Sequence, residues 1–387
     1  MKWSVLTTTL LTTFSSLQTA AAQDDLLTNV TIFTPPRNYT VPRTLYARTL
    51  LLNQNCKHED QNTLLATWEN YLPNNNSFPY MPIYQSLDLG ETWTERSRVY
   101  DQVNGWGLRY QPFLYELAEP IGEFEKGTVL LAASSIPDDL SETQIDLYAS
   151  KDKGYTWKFV SHIAHGGLAL PNNGLTPVWE PYLMTYQGEM ICYYSDQRDN
   201  ATYGQKLVHQ VSPDLLSWGP VVDDVAQPKY TDRPGMPIVS ELPNGKYFFT
   251  YEFGGGPVDG NSSGDYTFPV FYRISSDPLD FDNAEDHALV ATDGTVPVSS
   301  PYNVWTPAGG ENGTIVVTCG TLSEVFINQA LGAEDAWVKV ETPEGVSYTR
   351  TLLVLPDKSE ILITGAGELG GKRNKVTTSS IDLDDDE

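Results

Sequence analysis

The sequence predicts an all-β fold, a six-bladed β-propeller, from a repeated turn, a repeated strand and a constant spacing between the two. The turn occupies residues 86–93 and returns at residues 150–157, with Ser, Asp, Gly, Thr and Trp at matched positions. The Ser and Asp side chains are suited to hydrogen-bond nearby amides, and the glycine permits the backbone to turn. Such internal repetition is typical of a repeat architecture.

The repeated strand is a short apolar run that occurs six times. Its copies begin at residues 63, 128, 189, 246, 314 and 360, and turn-forming residues bound them. The turn begins 23 residues after the first strand start and 22 after the second, and a weaker copy at 212–218 begins 23 after the third. Each unit can hold four short antiparallel strands, and a closed ring of six units removes most free strand edges. A two-sheet sandwich is the alternative.

The two ends of the chain are predicted to meet in one blade. Residues 27–33 are expected to form a strand that completes the sixth blade beside the C-terminal strands. Residues 46–52 resemble residues 348–354, which indicates that both are innermost strands of their blades. No linker is evident, so residues 23–387 are expected to form one propeller domain.

Residues 1–22 are predicted to be a signal peptide. Lys2 precedes an apolar, hydroxyl-rich run that ends in three alanines, and this run is too short and too polar for a membrane anchor. The expected location is therefore extracellular. Six Asn-x-Ser/Thr sites suit N-glycosylation in that compartment, although chance would account for some of them. They are Asn29, Asn38, Asn75, Asn200, Asn261 and Asn312.

Composition excludes several classes of partner. The formal net charge of −26 argues against nucleic acid and anionic membranes, and disfavours an acidic polysaccharide. The 22 Tyr and 9 Trp suit stacking on sugars and suit an all-β core equally well. Cys56, Cys192 and Cys319 leave one disulfide with a free thiol, or buried unpaired thiols, as open alternatives. No spacing predicts a metal site, and a monomer is the default expectation.

Two glutamates are the candidate catalytic residues, since both are predicted to lie at the mouth of the central channel. Glu180 precedes Pro181, which predicts an extended Glu180 at the start of the third blade's inner strand, and Trp179 would lower the polarity around it. Glu252 ends an apolar strand, so its charge must reach solvent, a partner or a substrate. The alternatives are a surface glutamate and a satisfied rim carboxylate, and Glu69 shares the strand position of Glu252.

Two carboxylates at one channel mouth suit glycoside cleavage. One protonates the leaving oxygen, and the other attacks the anomeric carbon or activates water. Tyr348 is predicted to begin the inner strand of the sixth blade, where its hydroxyl would hydrogen-bond to the nucleophile; a structural role is equally open. The remaining candidates for contact with substrate are Arg48, Trp106, Trp179, Arg198, Arg233 and Tyr251.

These residues carry a resemblance to a known family. The turns at 86–93 and 150–157 resemble the Asp-box of sialidase-like propellers, and nearly the whole chain resembles glycoside hydrolase family 93 through Trp179-Glu180-Pro181, Tyr251-Glu252-Phe253 and Ser347-Tyr348-Thr349-Arg350. The resemblance implies a secreted, retaining exo-α-1,5-L-arabinanase without a metal cofactor, releasing arabinobiose from the non-reducing end of linear arabinan from plant cell-wall pectin. It also implies Glu180 as general acid/base, Glu252 as nucleophile and Tyr348 as the assisting tyrosine.

Two other functions remain open from the sequence. A sialidase would use a tyrosine nucleophile, for which Tyr348 is a candidate, and an arginine cluster for the substrate carboxylate. Its Phe/Tyr-Arg-Ile-Pro motif is missing from the first blade, and residues 272–275 lie too late in the chain to replace it. A non-catalytic Asp-box propeller that binds glycans or proteins is the second alternative.

Overall fold

Six four-stranded antiparallel sheets are arranged as the blades of a β-propeller, in a computed structural model that describes residues 26–54, 62–73, 78–257 and 266–384. Strand β1 (Val30–Phe33) belongs to the last blade. Blade 1 contains β2 (Thr44–Leu51), β3 (Leu64–Asn70), β4 (Tyr80–Ser86) and β5 (Thr94–Tyr100). Blade 2 contains β6 (Leu108–Glu116), β7 (Val129–Ser135), β8 (Thr143–Ser150) and β9 (Lys158–Gly166).

The other four blades follow in chain order. Blade 3 contains β10 (Val178–Tyr186), β11 (Glu189–Asp196), β12 (Lys206–Ser212) and β13 (Val222–Val225). Blade 4 contains β14 (Arg233–Glu241), β15 (Tyr247–Gly254), β16 (Val270–Ser275) and β17 (His287–Ala288). Blade 5 contains β18 (Tyr302–Thr306), β19 (Thr314–Thr318), β20 (Val325–Asn328) and β21 (Val338–Val340), with a 3₁₀ turn at Glu334–Ala336. Blade 6 contains β22 (Thr351–Val354), β23 (Glu360–Gly365), β24 (Val376–Asp382) and β1.

The predicted architecture is confirmed. The six repeated apolar runs are β3, β7, β11, β15, β19 and β23, the second strand of each blade. Strand β1 closes the ring by pairing antiparallel with β24, where Val30 lies opposite Thr378. The sandwich alternative is excluded, because each sheet is built from its own consecutive strands apart from this single closure.

Neighbouring blades are held together by apolar side chains of their second strands. Between blades 3 and 4, Tyr193 of β11 packs against Phe249 of β15 with ring centroids 5.8 Å apart, and Phe281 fills the space beside them. Phe249 and Phe281 are fully buried. Truncating such a side chain to alanine typically costs about 3–5 kcal/mol of stability. These contacts therefore contribute strongly to holding the two blades together.

The Asp-box turns lie on the face opposite the channel mouth, because they connect the third and fourth strands of a blade. In the first copy Thr92 N donates to Asp88 Oδ1 (2.9 Å) and Gly90 N donates to Ser86 Oγ (2.8 Å). In the second copy the Trp157 indole reaches across to Ser97 Oγ of blade 1 (3.1 Å). The repeat therefore supports the turns and the contact between blades.

Several expectations fall outside the described residues. These are the signal peptide at 1–22, Cys56, Asn75 and Asn261. Cys192 and Cys319 are both free and buried. Of the other sequon asparagines, Asn29, Asn38 and Asn312 are exposed and Asn200 is half-buried. Among the described residues, no helix is long and apolar enough to cross a bilayer.

Candidate active site

The channel mouth holds a cavity of about 720 Å³ that all six blades surround. Its polar lining includes three glutamates, an arginine, a tyrosine and two glutamines: Glu69, Glu180, Glu252, Arg233, Tyr348, Gln111 and Gln205. Trp179, Phe268, Tyr71 and Tyr110 supply aromatic walls. The cavity has the size and the mixture of apolar and convergent polar groups that small-molecule sites share.

The inner strands reach this cavity through a repeated β-bulge. Tyr46, Gln111, Glu180 and Met236 all have positive φ, between 50° and 64°, and the strand register shifts at each of them. A bulge adds one unpaired residue and redirects a side chain, which is how Glu180 is aimed into the cavity. The expectation that Pro181 would hold Glu180 extended was wrong, since Glu180 has a φ of 64°. A proline suits this position because it has no N–H to donate to the interrupted ladder.

Side chains from three blades form the floor of the cavity. Tyr46, Met236 and Tyr348, from blades 1, 4 and 6, pack in one cluster across the propeller axis. Tyr348 does not begin the inner strand as expected, because β22 starts at Thr351. It lies in the connection before that strand, where its carbonyl accepts a hydrogen bond from Tyr46 N (2.9 Å). Its phenol ring lines the cavity, and burial, followed by the charges of Glu180 and Glu252, raises its pKa.

Glu180 is a buried carboxylate held by two donors. Its Oε2 accepts hydrogen bonds from Ser195 Oγ (2.7 Å) on the neighbouring strand and from Met236 N (2.8 Å) of the next blade. Burial raises the pKa of Glu180, and these two hydrogen bonds oppose that effect. A carboxyl group in this setting can retain a proton in the pH range where an exposed glutamate has lost it.

Glu252 faces the same cavity from the end of β15. Its Oε2 accepts hydrogen bonds from Ser300 N (2.8 Å) and Ser299 Oγ (3.2 Å) of blade 5. Burial, and next the negative charge of Glu180, raise the pKa of Glu252 to about 7. The charge of Glu180 therefore acts on Glu252, and the two carboxyl groups interact electrostatically.

Gly235 separates the two carboxylates. A Cβ atom at this position would lie 3.4 Å from Glu252 Oε1 and 3.5 Å from Glu180 Oε2. These two oxygens can thus be no farther apart than the sum of those distances, about 6.9 Å. The tightest contact of such a Cβ atom would be Gln205 Nε2 at 3.0 Å, and the φ of Gly235 lies outside the left-handed region.

Arg233 and Trp179 also line the cavity, as the sequence predicted for substrate contacts. Arg233 is fixed by hydrogen bonds from its Nη2 to Gln197 Oε1 (3.0 Å) and Gln205 Oε1 (2.8 Å). Trp179 donates its indole N–H to the same Gln197 oxygen (3.2 Å). Both side chains are therefore held in one orientation at the cavity wall, which limits the freedom lost when a ligand binds.

Four other predicted contact residues lie outside this cavity. Arg48 is buried next to the floor, where its guanidinium covers the Tyr46 ring at 4.2 Å. Arg198 forms an ion pair with Asp196 (2.7 Å). The Tyr251 hydroxyl donates a hydrogen bond to Asp286 inside the blade. Trp106 lines a neighbouring cavity. The structure gives Tyr251 and Arg198 structural contacts in place of the substrate contacts expected of them.

Glu69 is the site residue that the sequence reasoning undervalued. It lines the cavity, its Oε2 accepts the Tyr71 hydroxyl (2.7 Å) and its Oε1 accepts Gln111 N (3.0 Å). Burial is the largest cause that raises its pKa to about 7. The signal was available, because Glu69 occupies the same position in its strand as Glu252.

The comparisons with known proteins agree with this geometry. No protein-family model and no curated protein sequence matches the chain. Among solved structures, it is similar to an α-L-arabinanase from Penicillium chrysogenum complexed with arabinobiose, at 58% identity over 93% of this chain and 99% of that one, with a TM-score of 0.88. It is also similar to the GH93 α-L-arabinofuranosidase of Fusarium graminearum with arabinobiose, at 56% identity over 92% and 98%, with a TM-score of 0.89.

A more distant likeness concerns the fold alone. A sialidase from Streptococcus pneumoniae aligns with 92% of this chain and 71% of its own at 10% identity, with a TM-score of 0.58. Two buried carboxylates that face one cavity at the channel mouth fit the class of glycoside hydrolases, most of which cleave their substrates with such a pair. The identity above 50% over nearly the full length places the chain in glycoside hydrolase family 93.

Proposed function

We propose that this chain is a retaining exo-α-1,5-L-arabinanase that releases arabinobiose from the non-reducing end of linear arabinan. The observation that carries the proposal is the pair Glu180 and Glu252, which face one cavity with oxygens no more than about 6.9 Å apart. Both similar family structures were solved with arabinobiose. The exo mode of attack is the one that the family resemblance implies.

The two carboxylates are assigned complementary roles. Glu180, as general acid, protonates the leaving glycosidic oxygen while Glu252 attacks the anomeric carbon and forms a covalent glycosyl-enzyme. Glu180 then removes a proton from water, and the resulting hydroxide displaces Glu252 with a second inversion. Retention is the outcome that the family resemblance implies, and the bound on the oxygen separation admits the roughly 5–5.5 Å spacing of retaining enzymes. We assign Tyr348 the stabilisation of the ionised nucleophile, because it lines the same cavity and because burial, together with the charges of Glu180 and Glu252, raises its pKa.

We also infer the setting in which the enzyme acts. The predicted signal peptide, the exposed sequons and the strongly acidic composition support a secreted, N-glycosylated monomer. Its partner would be the arabinan side chains of plant cell-wall pectin, a neutral substrate compatible with a net charge of −26. The residues present require no cofactor for this chemistry.

A product assay tests the proposal. Linear arabinan, debranched arabinan and a sialoside are each incubated with the enzyme, and the products are followed by chromatography and by NMR of the anomeric configuration. Arabinobiose with the α configuration is expected first. Sialic acid, or no sugar from any substrate, would eliminate the arabinanase. A sialidase is disfavoured because Arg233 is the single arginine among the described residues that line the cavity.

A further inference from the structure

A second cavity, of about 830 Å³, opens beside the active-site cavity on the same face of the propeller. We call it the lateral groove. It lies over blades 1 and 2, and its lining includes the side chains of Tyr71, Phe78, Trp106, Arg109 and Tyr110. Four of these five are aromatic, and Phe78 leaves 45% of its surface exposed. Aromatic rings set among polar groups in a groove of this size are typical of a ligand-binding site.

The groove adjoins the active-site cavity. Tyr71 and Tyr110 line both cavities, and their ring centroids lie 6.1 Å apart. The Tyr71 hydroxyl is held by Glu69 Oε2 (2.7 Å), a carboxylate of the active-site cavity. A linear molecule seated at the two carboxylates can therefore extend over this shared wall into the groove.

The groove is also rigidly built. The carboxylate of Asp101 accepts backbone hydrogen bonds from Trp106 (2.7 Å) and Gly107 (3.0 Å), and its other oxygen accepts two more from the same loop. These four hydrogen bonds fix the backbone of the loop that carries Trp106, whose ring lines the groove. A preformed surface loses little conformational freedom when a ligand binds.

The order of the blades indicates which part of the substrate would enter. Glu252, the proposed nucleophile, lies in blade 4, and Glu180, the proposed acid, lies in blade 3. The lateral groove follows in the same direction, over blades 2 and 1. The leaving group departs on the side of the general acid, so this direction leads from the cleaved bond into the groove.

We propose that the lateral groove binds the arabinofuranose units on the leaving-group side of the cleaved bond. The inference rests on the proposed function and deepens it. The aromatic faces cover the apolar C–H surface of the sugars, and the Arg109–Asp138 pair at 2.5 Å offers a donor and an acceptor to their hydroxyl groups. A neutral glycan suits this lining, because the one cation of the pair is already neutralised.

The test compares a long substrate with a short one. Trp106→Ala is expected to lower the ratio of kcat/KM on linear arabinan to kcat/KM on arabinotriose by roughly tenfold or more, since the trisaccharide leaves a single sugar beyond the cleaved bond. Trp106→Phe should restore most of the ratio. Phe78→Ala gives a second reading at an exposed position, should Trp106→Ala fail to fold.

The matched control is Tyr266→Ala, an exposed tyrosine that packs beside Phe268 and lies outside the lateral groove. It should leave the ratio unchanged. An unchanged ratio in the Trp106 and Phe78 variants, or a fall in the Tyr266 variant alone, would overturn the groove assignment. Absence of arabinobiose from both substrates with the unaltered enzyme would instead refute the proposed function.

Discussion

Glu180 and Glu252 come from different blades, and their carboxylates both lie next to the backbone of Gly235. The Cβ position of Gly235 is 3.5 Å from an oxygen of Glu180 and 3.4 Å from an oxygen of Glu252, so the reacting linkage fits where a side chain would otherwise lie. Burial raises the pKa values of both carboxyl groups. The site therefore combines two carboxylates close to each other, burial of both, and an open space at the Cβ position of Gly235.

Replacing either carboxylate should abolish turnover in distinguishable ways. Glu252→Gln and Glu180→Gln are each expected to lower kcat by about a thousandfold or more, because one removes the nucleophile and the other the acid. With an aryl arabinobioside, whose phenolate leaves without a proton from the enzyme, added azide should rescue the Glu180 variant to give a product of retained configuration, and the Glu252 variant to give an inverted one. NMR of the glycosyl azides reads the outcome, and the reverse pattern would exchange the two roles.

Gly235→Ala should impair catalysis without unfolding the protein. The new methyl group would fill the gap between the carboxylates and would meet Gln205 Nε2 at 3.0 Å, the end of a side chain that can shift. We expect kcat/KM to fall about 10- to 100-fold, since small misplacements of a substrate are costly, with Tm nearly unchanged. Gly345→Ala is the control, because nothing lies within 4 Å of its Cβ position. Equal kcat/KM values for the two variants would show that the gap is not used.

The difference in stability between the Glu252→Gln variant and wild type should depend on pH. Glu252 has a pKa near 7 when folded against 4.5 as its ordinary value, so the folded state binds the extra proton between those pH values. The contribution of Glu252 to wild-type stability therefore decreases as pH rises from about 4.5 to 7. The variant has no carboxyl group at this position and does not lose that contribution. We expect the free energy of unfolding of the variant, minus that of wild type, to be about 3 kcal/mol higher at pH 8 than at pH 4.5.

Denaturant unfolding at the two pH values measures that gain. Glu241→Gln, an exposed glutamate of the same blade, serves as the control and should show no pH-dependent gain. A constant difference between wild type and the Glu252 variant at all pH values would contradict the buried, proton-binding carboxyl group.

Glu69→Gln should move the alkaline limb of the pH–activity profile. Above a pH of about 7 Glu69 is ionised, and its charge opposes ionisation of Glu180. Removing that charge lets Glu180 lose its proton at lower pH, so the limb of kcat/KM should shift down by roughly half a unit. Glu368→Gln carries the same charge change on an exposed part of the cavity rim and should leave the limb in place. Identical profiles for both variants would rule out the coupling.

The fold was predictable because each blade repeats the same local rules. Apolar second strands, turns with Ser, Asp and Gly, and their constant spacing are properties of neighbouring residues, and they located all six second strands and the closing strand β1. The position of Glu180 at the mouth was also predictable, because a charged side chain beside a buried strand must reach solvent or a polar partner. The X-Pro pairs at Gln111, Glu180 and Met236 were a further signal that marks the bulges.

The sequence by itself determined a ring of six sheets, its family and the two glutamates that were chosen as candidates. Tertiary structure alone decided that Gly235 separates those glutamates, that Glu69 joins them, and that Tyr251 and Arg198 turn away to partners inside their blades. The physical reason is distance along the chain. Strand patterns follow from neighbours in sequence, whereas a carboxylate's pKa, its donors and the space beside it are set by blades that meet only when the ring closes.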